Sequence, residues 1–387
     1  MKSFIKLITK SYLARKCSLS KKRETSSGYT LGIVLIVIAL IAMLATEFLS
    51  SAVKSIRVSA KNSAADQSAL YAESGFRLAE MILDADKKGT TGSLNIKTSA
   101  ETDSYDDLWA RNIPPLDLDG YSVKIMIFDE QSKINVNIIY NEFTDSSQTF
   151  PYIILNNFFK DMGFDENYTG CILDYIDKDD SKSQYGAETY DYYSRFSSPG
   201  SAKNSYLVSI NELLMIKGFS WPLFYGITGG NSGIEGKLVD KNYEQEDLSF
   251  DMSLSDDSKQ TYKETLIARE KSRKLSDYLR VNGKNDDASD DLNKININTA
   301  PFRVLIAIPG MTDGFAEEVI EKRKVKPFSS TEELSSVITD PIIRKNHLTV
   351  SSNIFSIKVI VSSSGGDFES FGIYNRNIKK YYYMKTL

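Results

Sequence analysis

Histidine and cysteine are almost missing from this sequence: His347 is the one imidazole, and Cys17 and Cys171 are the only thiols. A zinc site built from nitrogen and sulfur ligands is therefore not expected. No Ser-His-Asp spacing can be argued, because the single His sits in a basic "RKNHL" segment, and no glycine-rich phosphate loop occurs. The residues give no enzyme. The remaining acid/base candidate is a carboxylate pair such as Asp177 and Glu188, but an acidic loop more often binds metal or water.

Charge is missing from Leu31 to Thr46. With Tyr29 and Thr30 this run spans roughly 27 Å as a helix, close to one bilayer. It continues past Glu47 into "FLSSAV" without a small-residue cleavage site, so it reads as retained. Before it, eight Lys and Arg residues face Glu24 alone, which makes the leader +7 and places it on the cytoplasmic side. A whole-chain charge of −4 then leaves −11 on residues 29–387, which argues against general affinity for nucleic acid or anionic lipid. If the leader is removed, Cys17 and Cys171 cannot bridge. Cys171 then reads as a buried small hydrophobe.

Beyond the apolar run, Tyr71, Gly75, Leu78 and Ile82 recur at helical spacing, widened by Phe76, Ala79 and Leu83. The helix is expected to continue to about Asp86 and to end at Lys87, Lys88 and Gly89. "YSVKIMIF" alternates as a half-buried strand, and "NIFSIKVIV", "FESFGIYNRN" and "KKYYYMK" read as a terminal antiparallel meander. Between them lie mainly helical patterns: "PYIILNNFFKDMG", "YTGCILDYID", "SINELLMIKG", "KETLIAREKSRKLSDYLRVNG", "APFRVLIAIPG", "GFAEEVIEKRK" and "STEELSSVI". The pattern is that of an α+β fold, a long helix and small sheet interrupted by a helical insert. "KINVN" at 133–137 and "KININ" at 294–298 suggest one unit used twice.

In "LDYIDKDDSKSQYGAETYDYY", Asp177, Asp179, Ser181 and Glu188 stand at positions one, three, five and twelve of an EF-hand spacing. Position six is Lys182 where that loop requires glycine. The segment therefore reads as a calcium-suitable oxygen cluster and not as an EF-hand, with Asp174 a surface position on the preceding helix. "ININTAPFRVLIAIPGMTDGFAEEVIEKRKVKPFSSTEEL" resembles a helix-hairpin-helix module. Its hairpin lacks a second glycine after Gly310, and Glu317, Glu318 and Glu321 would repel phosphate, so a protein-binding or structural role is expected over a DNA-binding one. Asn296 and Asn298 are expected to tie loops to helix starts, and Thr299 to cap a helix.

A basic leader ending in Gly28, then Tyr29, Thr30, Leu31 and a long apolar helix, resembles the class III signal of type IV pilins and pseudopilins. That resemblance implies cleavage after Gly28 by a prepilin peptidase. The fifth mature residue is Ile33 where Glu is usual, which fits a subunit with no neighbour above it to pair with such a carboxylate. With "ILDYIDKDD", "INELLMIKGF" and "ININTAPFRVLIAIPGM", the chain resembles the general secretion pathway protein K family, the large minor pseudopilin of type II secretion.

The resemblance implies a leader at 1–28, a transmembrane part at 29–53, an amphipathic helix and first sheet segment at 54–137, a helical insert at 138–349 and closing strands at 350–387. It implies a single-pass inner-membrane protein with its large domain in the periplasm, placed at the pseudopilus tip to help initiate assembly and export across the outer membrane. Partners would be other minor pseudopilins, the major pseudopilin and the prepilin peptidase, with secreted proteins or the outer-membrane channel as further contacts and no nucleic acid. Structural Ca²⁺ would be held by Asp177, Asp179, Asp180 and Glu188. The rival readings are a membrane-anchored helix-hairpin-helix DNA-uptake protein, a minor pilin of a related type IV pilus, and an anchored hydrolase.

Overall fold

A computed structural model describes residues 25–89, 100–111, 113–141, 146–164, 167–197, 200–224, 274–281 and 293–386. The chain divides into two units, residues 1–68 and 69–387. In the first, helix α1 (Thr25–Lys87) carries the uncharged run, whose large apolar side chains are exposed. Among the described residues it is the one helix long and apolar enough to cross a membrane. The expected cleavage point between Gly28 and Tyr29 lies inside α1, and both Tyr29 and Ile33 are exposed. Most of the basic leader, Cys17 and the acidic runs near 255 and 287 lie outside the described residues.

In the second unit α1 ends as the sequence predicts, with Lys87 in its last turn and Gly89 at φ +62°. Its buried stripe is Ala72, Phe76, Ala79 and Leu83, while Tyr71, Leu78 and Ile82 flank it. Gly75 belongs to the same face because a Cβ there would sit 2.7 Å from Val359 Cγ1, and a β-branched side chain has little freedom to yield.

The remaining elements follow in order: β1 (Leu116–Leu118), β2 (Tyr121–Asp129), β3 (Ile134–Asn135), β4 (Tyr140–Asn141), β5 (Ser146–Ser147), α2 (Thr149–Asp161), α3 (Tyr168–Ile176) and α4 (Trp221–Phe224). Then come β6 (Leu279–Arg280), β7 (Ile295–Asn296), α5 (Phe302–Ile306), α6 (Asp313–Val325), α7 (Pro341–His347), β8 (Leu348–Thr349), β9 (Ile354–Ser363), β10 (Gly366–Asn375) and β11 (Lys380–Thr386). One antiparallel sheet runs β1-β2-β9-β10-β11. Val123, Ile125 and Ile127 bury against the α1 stripe with Ile357, Val359 and Val361. The alternation breaks at Met126, which is covered although it points to the opposite face.

The second apolar core runs from Ile134 to Leu348 and contains no residue of the first. The chain leaves β2 at Asp129 and re-enters β9 opposite it, in the pair Asp129↔Phe355. Three sequence expectations change in detail here. "SINELLMIKG" and "STEELSSVI" form short 3-10 turns, Ile210–Met215 and Thr331–Leu334, each opened by a capping box at its N-terminus. The described end of "KETLIAREKSRKLSDYLRVNG" is a 3-10 turn followed by β6, because Ile134 N–H donates to Tyr278 O (2.9 Å) and β3 pairs with β6.

The repeat suggested by "KINVN" and "KININ" is present in three dimensions. Each Ile-Asn pair forms a two-residue parallel bridge, β3 with β6 and β7 with β8. Asn135 Oδ1 accepts from Asn137 N, and Asn296 Oδ1 from Asn298 N. The second asparagine of each copy then clamps one distant peptide: Asn137 with Leu207 N (2.9 Å) and O (2.9 Å), Asn298 with Phe328 N (2.8 Å) and O (3.0 Å). Two residues beyond each clamped residue stands a capping-box serine, Ser209 with Glu212 and Ser330 with Glu333. Buried Leu213 and Leu334 follow.

Candidate metal centre

The acidic loop begins where α3 ends. Asn167 caps α3 by accepting from Gly170 N (2.9 Å), and Asp177 stands at its other end as the C-cap. Asp179 Oδ1 accepts from Ser181 N (2.6 Å), which turns the chain back. Lys217 Nζ donates to the carbonyls of Tyr185 and Gly186 (3.1 Å each), and Cys171, buried as expected, donates its thiol to Tyr185 O (3.2 Å). Glu188 is fixed through its backbone, donating N–H to Asp191 Oδ1 (2.8 Å), while Asp191 pairs with Lys182 (2.5 Å).

The fold brings together three of the four residues expected as ligands. Asp177, Asp179 and Glu188 each offer an oxygen within 4.8 Å of the others. Asp180 is exposed next to them and is outside this trio. Glu188 is 3% exposed, and neither of its carboxylate oxygens meets a hydrogen-bond donor. Burial, and then the negative charges of Asp174, Asp180 and Asp179, push its carboxyl up to about 7. An all-oxygen set with a donorless buried carboxylate suits a hard divalent cation.

Asp174 corrects the sequence reading. It is fully buried, and both its oxygens accept from Ser183 N (3.1 Å each). Gly186 has to be glycine beside it, since a Cβ there would lie 1.8 Å from Asp174 Oδ2. The polar return of the loop onto α3 covers Asp174, and helical periodicity cannot foresee a loop that folds back on its own helix.

In the helix-hairpin-helix segment, α5 and α6 meet at Gly310 (φ +90°), and Thr312 caps α6 by accepting from Phe315 N (3.4 Å). Arg323 Nη1 donates to Ile297 O and Ala300 O (2.7 Å each), while Glu318 and Glu321 pair with Lys322 and Lys324 on the helix surface. Thr299 does not cap α5, which starts beyond Pro301. Its hydroxyl donates to buried Asp129 (2.5 Å), a stronger acceptor. Asn296 and Asn298 tie the segment as expected. His347 stacks on Phe150 (4.0 Å), and burial holds its imidazole below the ordinary value.

Residues 132–225 match the family model of type II secretion system (T2SS) protein K, and residues 291–338 match that of the helix-hairpin-helix motif. No curated protein matches the chain. Among solved structures, the chain is similar to one in the crystal structure of the GspK-GspI-GspJ complex from the enterotoxigenic Escherichia coli type 2 secretion system. The two share 13% identity and a TM-score of 0.51, over 83% of this chain and 96% of that one. That likeness fixes an α+β pilin-like fold. Residues 132–225 are thus similar to protein K of type II secretion, and the chain as a whole has the fold of the similar chain.

Proposed function

We propose that this protein is the non-enzymatic tip subunit of a type II secretion pseudopilus, joined there with two other minor pseudopilins. The reading rests chiefly on the protein K match, which falls on an insert that leaves and re-enters neighbouring strands of a pilin-like sheet. The similar chain comes from a three-protein GspK-GspI-GspJ complex, which supports pseudopilin partners of that kind here. An insert of this size would block a further subunit from stacking above, and the apolar Ile33 suits a subunit with no amine above it to pair with. The apolar start of α1 would anchor the chain once in the inner membrane, leaving the remainder in the periplasm.

In this reading Ca²⁺ is structural. Asp177, Asp179 and Glu188 would hold it with Asp180 alongside, neutralising the loop and fixing it against α3. The deciding experiment is the mature N-terminal sequence from cells with and without prepilin peptidase. A Tyr29 start that depends on the peptidase is expected. An intact Met1, or a cut downstream of the apolar run, overturns the proposal.

A further inference from the structure

A second group of acids lies in the sheet core, far in sequence from the loop. Asp86 stands in the last turn of α1, and Asp103 and Asp107 in the segment before β1. They are 2%, 2% and 3% exposed, and one oxygen from each lies within 4.8 Å of the others. Among the described residues Arg376, beyond β10, is the cation bonded to them: Nη2 reaches Asp103 Oδ2 at 2.7 Å and Nη1 reaches Asp86 Oδ2 at 3.4 Å. Asp103 Oδ2 also accepts from Ser352 N (2.7 Å), and Asp107 Oδ2 from Ser104 N (2.6 Å).

Two oxygens are left over. Asp86 Oδ1 and Asp103 Oδ1 are buried and meet no donor. Three carboxylates against one guanidinium leave two negative charges without compensation, a state that burial does not tolerate. A proton can bridge two oxygens but not three. Three oxygens up to 4.8 Å apart fit on the shell of one ion with oxygen distances of about 2.3–2.6 Å.

We propose that Asp86, Asp103 and Asp107 form a binding site for a hard divalent cation such as Ca²⁺, which would bring the cluster with Arg376 to neutrality. The site would pin the end of α1 to the β10–β11 turn. Burial and the neighbouring Asp107 and Asp103 push Asp86 up to about 8, and burial chiefly raises Asp107 to about 6. The inference does not depend on the secretion reading.

The test uses the full chain in detergent, stripped with chelator and reloaded with Ca²⁺ or Tb³⁺. Trp109 lies two residues from Asp107, and its ring packs at 5.1 Å on Phe355, over which Arg376 also sits (4.9 Å), so it should sensitise terbium bound here. Asp107→Asn and Asp86→Asn should each bind one ion fewer than wild type by elemental analysis, whereas Glu188→Gln should leave the terbium emission excited through Trp109 intact. Trp109→Phe should lose most of that emission. Unchanged ion counts in both Asp variants, or wild-type emission insensitive to Trp109→Phe, would overturn the site in favour of a proton shared by Asp86 and Asp103. Circular dichroism identifies a variant that fails to fold. The Trp109 comparison then decides alone.

Discussion

The two copies of the repeated unit share the asparagine clamp and differ most in what precedes the clamped residue. In the second, α6 ends at Val325 and the clamped residue follows almost at once at Phe328. In the first, α3 ends at Ile176, but the clamped residue is Leu207, and the acidic loop occupies the interval. The clamp, the capping box and the buried leucine beyond it are otherwise alike. A frame that tolerates so long an excursion holds its ends by side-chain bonds to backbone, so the loop was free to acquire acids that a packed core would reject. The candidate metal centre is an elaboration of one copy, and the helix-hairpin-helix match falls on the plain copy.

If both copies depend on the same clamp, Asn137→Ala and Asn298→Ala should each destabilise by about 2–4 kcal/mol in chemical denaturation, since each strands a buried peptide without its partners. A loss confined to one of them would break the equivalence. Gly186→Ala tests the loop alone. It should cost about 1–3 kcal/mol by driving a Cβ into the Asp174 carboxylate, and the elaborated copy should respond while the plain one does not.

The loop should also carry a pH dependence that the other copy lacks. Folded Glu188 titrates near 7 against 4.5 in the unfolded chain. The native state therefore holds a proton that the unfolded state has already released, and metal-free protein should lose stability as pH rises from about 4.5 through 7. Glu188→Gln should reduce that loss, the remainder coming from Asp86 and Asp107, which burial also raises. Millimolar Ca²⁺ should raise the melting temperature at pH 8 in wild type and raise it less in the variant. A melting curve identical in EDTA and calcium would remove the metal from the loop. The smallest effect expected is equal in the two copies: Ser209→Ala and Ser330→Ala should each cost about 1 kcal/mol.

Elements set by local periodicity could be read from sequence. The α1 stripe, the meander and α2, α3 and α6 all follow from spacing and capping. The grouping of Asp177, Asp179 and Glu188 could be read as well, because the three lie within one short loop. Features made by distant partners could not be read in this way. Thr299 looked like a cap because Asp129, its actual partner, is far away in sequence, and Asp174 looked exposed because its cover returns from beyond the helix. The group at Asp86, Asp103 and Asp107 is assembled from a helix end and a separate segment, and Arg376 reaches it from the far end of the chain.

The side-by-side exit and return of the insert bears on how the chain acquires its structure. Pairing β2 with β9 without a folded insert would require closing a loop of more than two hundred residues, which costs conformational entropy before any contact repays it. An insert already folded presents its two ends as neighbours, and the ladder can then form as readily as across a short hairpin. The core from Ile134 to Leu348 should thus precede the sheet during refolding, with hydrogen exchange protecting Leu155 and Leu305 before Ile125 and Val359.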